Sequence, residues 1–215
     1  MRVRRLCGLL FAAIWIACAS HAADLSREQA LKALEQPEAA ARLAGVERLA
    51  EIGQMADADR LLGRLGDADP QVRAATAQAM WQIWSRSGDP AIDSLFARGV
   101  EQMQRAAYED ALAVFNEIVA RKPEFAEGWN KRATLYFLLD QNQESLRDCD
   151  EVLKRNPQHF GALSGYGQIY FQLGQYDKAI EYWRRALAVN PNMAGVEINI
   201  RSAEELLKEK REKTI

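Results

Sequence analysis

The side chains able to carry chemistry are few in this chain of 215 residues. There are three cysteines (Cys7, Cys18, Cys149) and two histidines (His21, His159). A thiolate at Cys149 would be a nucleophile. Beyond the segment 1–22, His159 would be the base of any serine triad. One histidine cannot build a multi-histidine metal site. Gly161, Gly165 and Gly167 lie close together, but a phosphate-cradling loop must follow a strand and open a helix. These glycines fall inside a helical register. The carboxylate pairs Asp57–Asp59 and Asp148–Asp150 sit in turn or helical contexts, face no second group, and read as solvated faces or caps. No acid, base and nucleophile converge, so no catalytic, cofactor-binding or metal-binding residue is assigned and no cofactor is expected. An enzyme or metal protein remains the alternative that a specific bound metal would revive.

The elements that must position these groups are repeats, with a unit length of about 34 residues. Sliding the chain by one unit and then another aligns Leu95 with Trp129 and Leu163, and Gly99 with Ala133 and Gly167. It also aligns Ala111 with Ser145 and Ala179, and Phe115 with Cys149 and Trp183. Pro123, Pro157 and Pro191 close the three units, 92–125, 126–159 and 160–193. Each unit reads as two crossed helices. The small residue in the first helix lets the second approach. The large residue fills the space between units, and proline, lacking an N–H, ends the pair. Turn residues recur between the paired helices at Arg105-Ala106, Asp140-Gln141 and Gly174-Gln175. In this frame Cys149 holds the large packing position and reads as a buried thiol. His159 ends its unit in a loop and reads as surface.

The pattern resembles the tetratricopeptide repeat family. Unit three carries it most fully, with Leu163, Tyr166-Gly167, Tyr170, Ala179, Trp183, Ala186 and Pro191. Unit two has Trp129, Ala133, Tyr136, Cys149 and Pro157, but Arg132 where leucine is usual. Unit one departs at Arg98 and Gln102. A second, slightly shorter period lies upstream. It pairs Leu31 with Leu62, Leu34 with Leu65, Arg42 with Arg73, Leu49 with Met80, and Ile52 with Ile83. Residues 26–87 read as two helix pairs, and Asp67-Ala68-Asp69-Pro70-Gln71-Val72-Arg73 resembles HEAT-like repeats, with an acidic N-cap and proline in the first turn. The implied fold is all-α, an α-α superhelix: a right-handed solenoid of antiparallel helix pairs. Its segments are 23–88 (HEAT-like), 89–193 (three tetratricopeptide units) and 194–215 (capping helix and charged tail). In the last, Val196, Ile200, Ala203 and Leu207 share one face. Gly88-Asp89-Pro90 is too short for a loose linker, so the arrays are expected to touch. Trp81 and Trp84 either dock the first array onto the second or fill the core of their own pair.

Compartment and charge narrow the partners. Arg2, Arg4 and Arg5 precede an uncharged stretch, Leu6 to Ala19, and Ser20-His21-Ala22 offers a small-residue cleavage site. That is the pattern of a secretory signal peptide over 1–22, and the stretch is shorter than the ~20 residues a spanning helix needs. Export to a bacterial periplasm is expected, with no stable membrane insertion after cleavage; a retained N-terminal anchor is the alternative. Cleavage leaves Cys149 alone, so no internal disulfide is expected. It removes three of 28 basic residues and none of 30 acidic ones, leaving a charge of −5. An acidic chain does not favour nucleic acid.

In tetratricopeptide arrays the first helix of each unit lines a concave groove. By register, the groove here holds Phe96, Val100 and Met103, then Asn130, Thr134 and Phe137, then Ser164, Gln168 and Phe171. The resemblance implies a non-catalytic adaptor that takes a protein or peptide partner in this groove. The carboxylate clamp by which some family members hold acidic chaperone tails needs Lys, Asn and Arg. This chain has Phe96, Val100, Lys131, Gly161 and Gly165 at those positions, so an acidic C-terminal ligand is not expected. A structural subunit using its convex face or ends is the alternative; composition says nothing of oligomeric state.

Overall fold

A computed structural model describes residues 24–212. The expected signal peptide, 1–22, and the end of the tail, 213–215, lie outside the described residues. The described residues form helices, with no strand among them. They divide into two compact units, one ending at Ile83 and the other beginning at Trp84.

The first unit holds α1 (Arg27–Ala33), α2 (Ala39–Ile52), a 3-10 turn (Met55–Asp57), α3 (Ala58–Leu62) and a second 3-10 turn (Gly63–Gly66). Then comes α4 (Pro70–Trp84), whose last residue belongs to the second unit. Ser26 starts α1 with a capping box: its Oγ accepts from the Gln29 N–H, and Gln29 Oε1 accepts from the Ser26 N–H. The shorter period recurs in the contacts. Arg42 Nη1 donates to the carbonyls of Gln36 and Pro37, and one period later Arg73 Nη1 donates to those of Asp67 and Ala68. Arg42 also binds the Asp67 carboxylate through two bonds of 2.7 Å. Asp69 Oδ1 caps α4, accepting from the N–H groups of Gln71 and Val72. The first helix of the second pair is broken where the sequence suggests a continuous one. Gly63 and Gly66 weaken the α-helix there, and the chain keeps the burial of Ala58, Leu61 and Leu65. Asp57 corrects the solvated reading of its pair. It is 2% exposed and held by Arg27 at 2.6 and 2.8 Å, while Asp59 is exposed.

The second unit runs α5 (Pro90–Gln104), α6 (Tyr108–Arg121), α7 (Ala126–Leu138), α8 (Asn142–Arg155), α9 (Phe160–Gln172), α10 (Tyr176–Val189) and α11 (Ala194–Glu212). Each helix packs on its sequence neighbour, and α7 also touches α5 and α9. Asp89 caps α5 ahead of Pro90, accepting from the N–H of Ala91 at 2.8 Å. The turns between paired helices share one geometry. Ala106, Asp140 and Gly174, equivalent positions in successive units, have φ of 57°, 57° and 67°. The N–H groups of Ala107, Gln141 and Gln175 reach back to the carbonyls of Gln102, Tyr136 and Tyr170, a Schellman closure.

Helix crossings obey a volume trade. A Cβ on Gly99 would lie 2.7 Å from the Phe115 ring, and one on Gly167 would lie 2.4 Å from the Trp183 ring. Unit two carries alanine at that place, Ala133, and there the large partner shrinks to Cys149. Ser145 adds a bond from its hydroxyl to the Ala133 carbonyl at 2.7 Å. α11 buries Val196 and Ala203, with Ile200 and Leu207 beside them, against Ala179, Ile180 and Trp183. No described helix is long and apolar enough to cross a membrane.

Candidate binding groove

The three first helices, α5, α7 and α9, carry the nine register positions, and the structure treats them unequally. Phe96 is core: 7% exposed, with edge contacts to Phe115 and Phe125. Val100 and Met103 are half-buried against the same cluster. Asn130 is 8% exposed and its amide donates to Glu127. Thr134 is exposed, its hydroxyl donating to the Asn130 carbonyl. Phe137 and Phe171 are half-buried, Phe171 packing on Tyr176 and Trp183. Ser164 and Gln168 are half-buried, and the Ser164 carbonyl accepts from Trp183 Nε1 at 3.1 Å. The accessible polar positions therefore concentrate on α7 and α9.

A buried polar cluster joins these two helices at their N-termini. Glu127, in the first turn of α7, receives His159 Nε2 at 2.9 Å, Lys131 Nζ at 3.0 Å and Asn130 Nδ2 at 3.1 Å. Burial by itself would push the Glu127 carboxyl up, but His159 and Lys131 outweigh it and hold the group below its usual range. His159 caps α9: its Nδ1 accepts from the Ala162 N–H at 3.0 Å. A backbone N–H only donates, so we assign the imidazole proton to Nε2, which donates to Glu127. The ring is fully buried, which corrects the surface reading of His159. The loop position suggested exposure; a helix start that needs an acceptor, and a carboxylate that needs a donor, drew the ring inward. Trp84 covers it, stacking on His159 at 4.2 Å and 22° and lying 4.8 Å from Phe160. Trp84 thus meets the third repeat. Sequence reasoning did not single out Glu127. The signal available was an acid and a histidine at the two ends of unit two, each next to a repeat boundary.

Arg132, unexpected in a leucine position, is accommodated by charge. It binds Asp148 through two bonds of 2.7 Å and Asn116 at 2.9 Å, and its guanidinium lies over the Trp129 and Tyr136 rings. Asp148 is 3% exposed, so it too departs from a solvated face, whereas Asp150 stays exposed and accepts the Tyr166 hydroxyl. Cys149 is buried, and burial with Asp148 and Asp150 nearby pushes its thiol up to about 12. That makes it a packing group rather than a nucleophile. Among the described residues, no three His, Cys, Asp or Glu side chains are grouped to hold a metal ion.

A tetratricopeptide repeat family model matches residues 162–193, the unit with the fullest pattern. A repeat-containing protein of this type from Rhizobium etli is 33% identical over 134 residues, covering 62% of this chain and 66% of that protein. Hsp70-Hsp90 organizing protein 1 of Glycine max is 29% identical over 105 residues, 48% of this chain. The chain spans only 18% of that relative's length, and just under two thirds of the first. Among solved structures, the first tetratricopeptide domain of Spaghetti bound to an Hsp90 peptide superposes with a TM-score of 0.53 at 21% identity, covering 54% of this chain and 93% of that one. That likeness is one of fold. The chain is a tetratricopeptide repeat protein.

Proposed function

We propose that this chain is a non-catalytic adaptor that holds an extended peptide or a helix of a partner protein on the face of α7 and α9. One observation carries the reading: α9, a first helix of the expected groove, has no charged residue in its thirteen, and presents Ser164, Gln168 and the edge of Phe171. Uncharged, amide-bearing surface suits backbone hydrogen bonds and apolar anchors. Peptide binding by the Spaghetti domain supports the general mode. The acidic tail does not transfer, since Lys131 is engaged by Glu127 and the other clamp positions are Phe96, Val100, Gly161 and Gly165.

Taking 23–88 as a HEAT-like segment, 89–193 as the repeats and 194–215 as a capping helix and tail belongs to the same proposal. So does export to a bacterial periplasm, which rests on residues 1–22. Cell fractionation with N-terminal sequencing tests export; an intact Met1 terminus in the cytosol would defeat it. For the groove, photocrosslinkers at Thr134 and Gln168 should capture one protein, and Gln168→Glu with Thr134→Arg should abolish capture while the melting temperature holds. Capture unchanged in a folded double variant would overturn the reading. A second reading, assembly through the ends, is favoured by exposed Ile198 on α11 and by an open cleft of about 560 Å³ between α10 and α11, lined by Ile180, Arg184 and Leu207. Loss of a complex in Ile198→Asp with groove variants unaffected would select it.

A further inference from the structure

Glu127 and His159 stand at the N-terminal ends of first helices, on elements that an open array would leave in water, yet both side chains have no exposed surface. What lies on His159 is Trp84, itself 4% exposed. The residues after it are tied down as well. The N–H and hydroxyl of Ser87 donate to Asp93 Oδ1 at 2.7 and 2.6 Å, and the Asp89 N–H donates to Ser87 Oγ at 3.1 Å. Gly88 makes the turn into α5 with φ +76°, a conformation glycine adopts at no steric cost. Asp93 and Glu127 are equivalent positions of successive units, in the first turns of α5 and α7. Residues 84–87, about 10 Å of chain, therefore run from the start of α9 to the start of α5 and engage the same edge of the repeats.

We propose that residues 84–87 are an internal occupant of this end of the groove, and that the notch under Trp84 is a subsite for an aromatic side chain of the partner segment. The inference rests on the groove reading above and names the partner's chemistry: an extended stretch with an aromatic ring, followed three residues later by a hydroxyl. The ring stacks on the imidazole of His159, and the hydroxyl donates to Asp93. A partner reaches the notch only when Trp84 leaves it, so the chain lowers its own affinity by the fraction of time the notch is filled.

The test uses the full chain and a fluorescein-labelled synthetic peptide with the sequence of residues 82–88, read by fluorescence polarisation. Trp84→Ala protein should bind this peptide at least about tenfold more tightly than the unaltered protein, because the internal competitor is gone. The same peptide with its own tryptophan replaced by alanine should not bind. Ser87→Ala, which loosens the internal segment from Asp93 but leaves Asp93 and the notch in place for the peptide, should give an intermediate gain and provides the reading if Trp84→Ala protein fails to fold. Equal peptide binding by variant and unaltered protein, or none by any folded variant, overturns the proposal. Crosslinking from Gln168 is independent of Trp84, so capture there with no peptide effect would defeat the internal occupant and leave the groove standing.

Discussion

Gly165 and Gly167, on one helix, should respond to the same substitution with opposite signs. Replacing glycine by alanine inside a helix stabilises by about 1 kcal/mol through backbone entropy alone. At Gly165 the added Cβ finds only Cys149 Sγ, 4.0 Å away, so Gly165→Ala should keep that gain. At Gly167 the Cβ would sit 2.4 Å from Cδ1 and Nε1 of Trp183, and carbon atoms rest about 3.5–4 Å apart. The indole must therefore retreat by about 1 Å. It is 1% exposed and its Nε1 donates to the Ser164 carbonyl, so it has nowhere to go without overpacking or losing that bond. Overpacking costs about 1–3 kcal/mol and a strained hydrogen bond about 1 kcal/mol more. Against the propensity gain, Gly167→Ala should destabilise by about 2 kcal/mol, a gap of about 3 kcal/mol from Gly165→Ala. Urea unfolding followed by far-UV circular dichroism and tryptophan emission measures both. If the two variants shift the midpoint in the same direction, the close helix crossing at Trp183 is wrong.

Ala106→Gly should stabilise by about 1 kcal/mol, because Ala106 holds the left-handed turn conformation that Gly174 holds two units later, and a methyl is costly there; thermal melting reads it. Arg132→Ala should destabilise by about 3 kcal/mol by stranding buried Asp148, and Arg132→Leu with Asp148→Leu should recover most of the loss, as a double-mutant cycle in urea would show. Glu127 titrates below its unfolded value of about 4.3, so its contribution is complete above that pH and is lost as pH falls through the lower folded value. Urea midpoints from pH 7 to 3 should therefore drop less steeply below about pH 4 in Glu127→Gln than in the unaltered chain. Cys149, with its thiol pushed up to about 12, should resist iodoacetamide at pH 8 in the folded chain and react fully in urea; native labelling would contradict its burial.

Period carries much of this protein in its sequence. The longer register of small residue, large residue and proline specifies paired helices because each choice acts locally: a glycine or alanine at a crossing, a proline at an end. The same register anticipates the turns between paired helices and the burial of Cys149, both of which depend on neighbours at a fixed spacing. The shorter upstream period was equally legible through Arg42 and Arg73, although Gly63 and Gly66 break a helix that the period alone would draw whole. Register could also nominate nine groove positions, but not say which face water. Phe96 went to the core, Asn130 turned to Glu127, and Thr134 and Gln168 kept accessible surface. His159 is the clearest case: its loop position says exposed, and only the arrival of Glu127 from the start of its own unit and of Trp84 from ahead of the first makes it a buried cap. Local sequence determines where helices begin, end and cross, because those energies belong to neighbouring residues. Which polar groups are desolvated, and what covers them, is a sum over segments distant in the chain, and tertiary structure alone decides it.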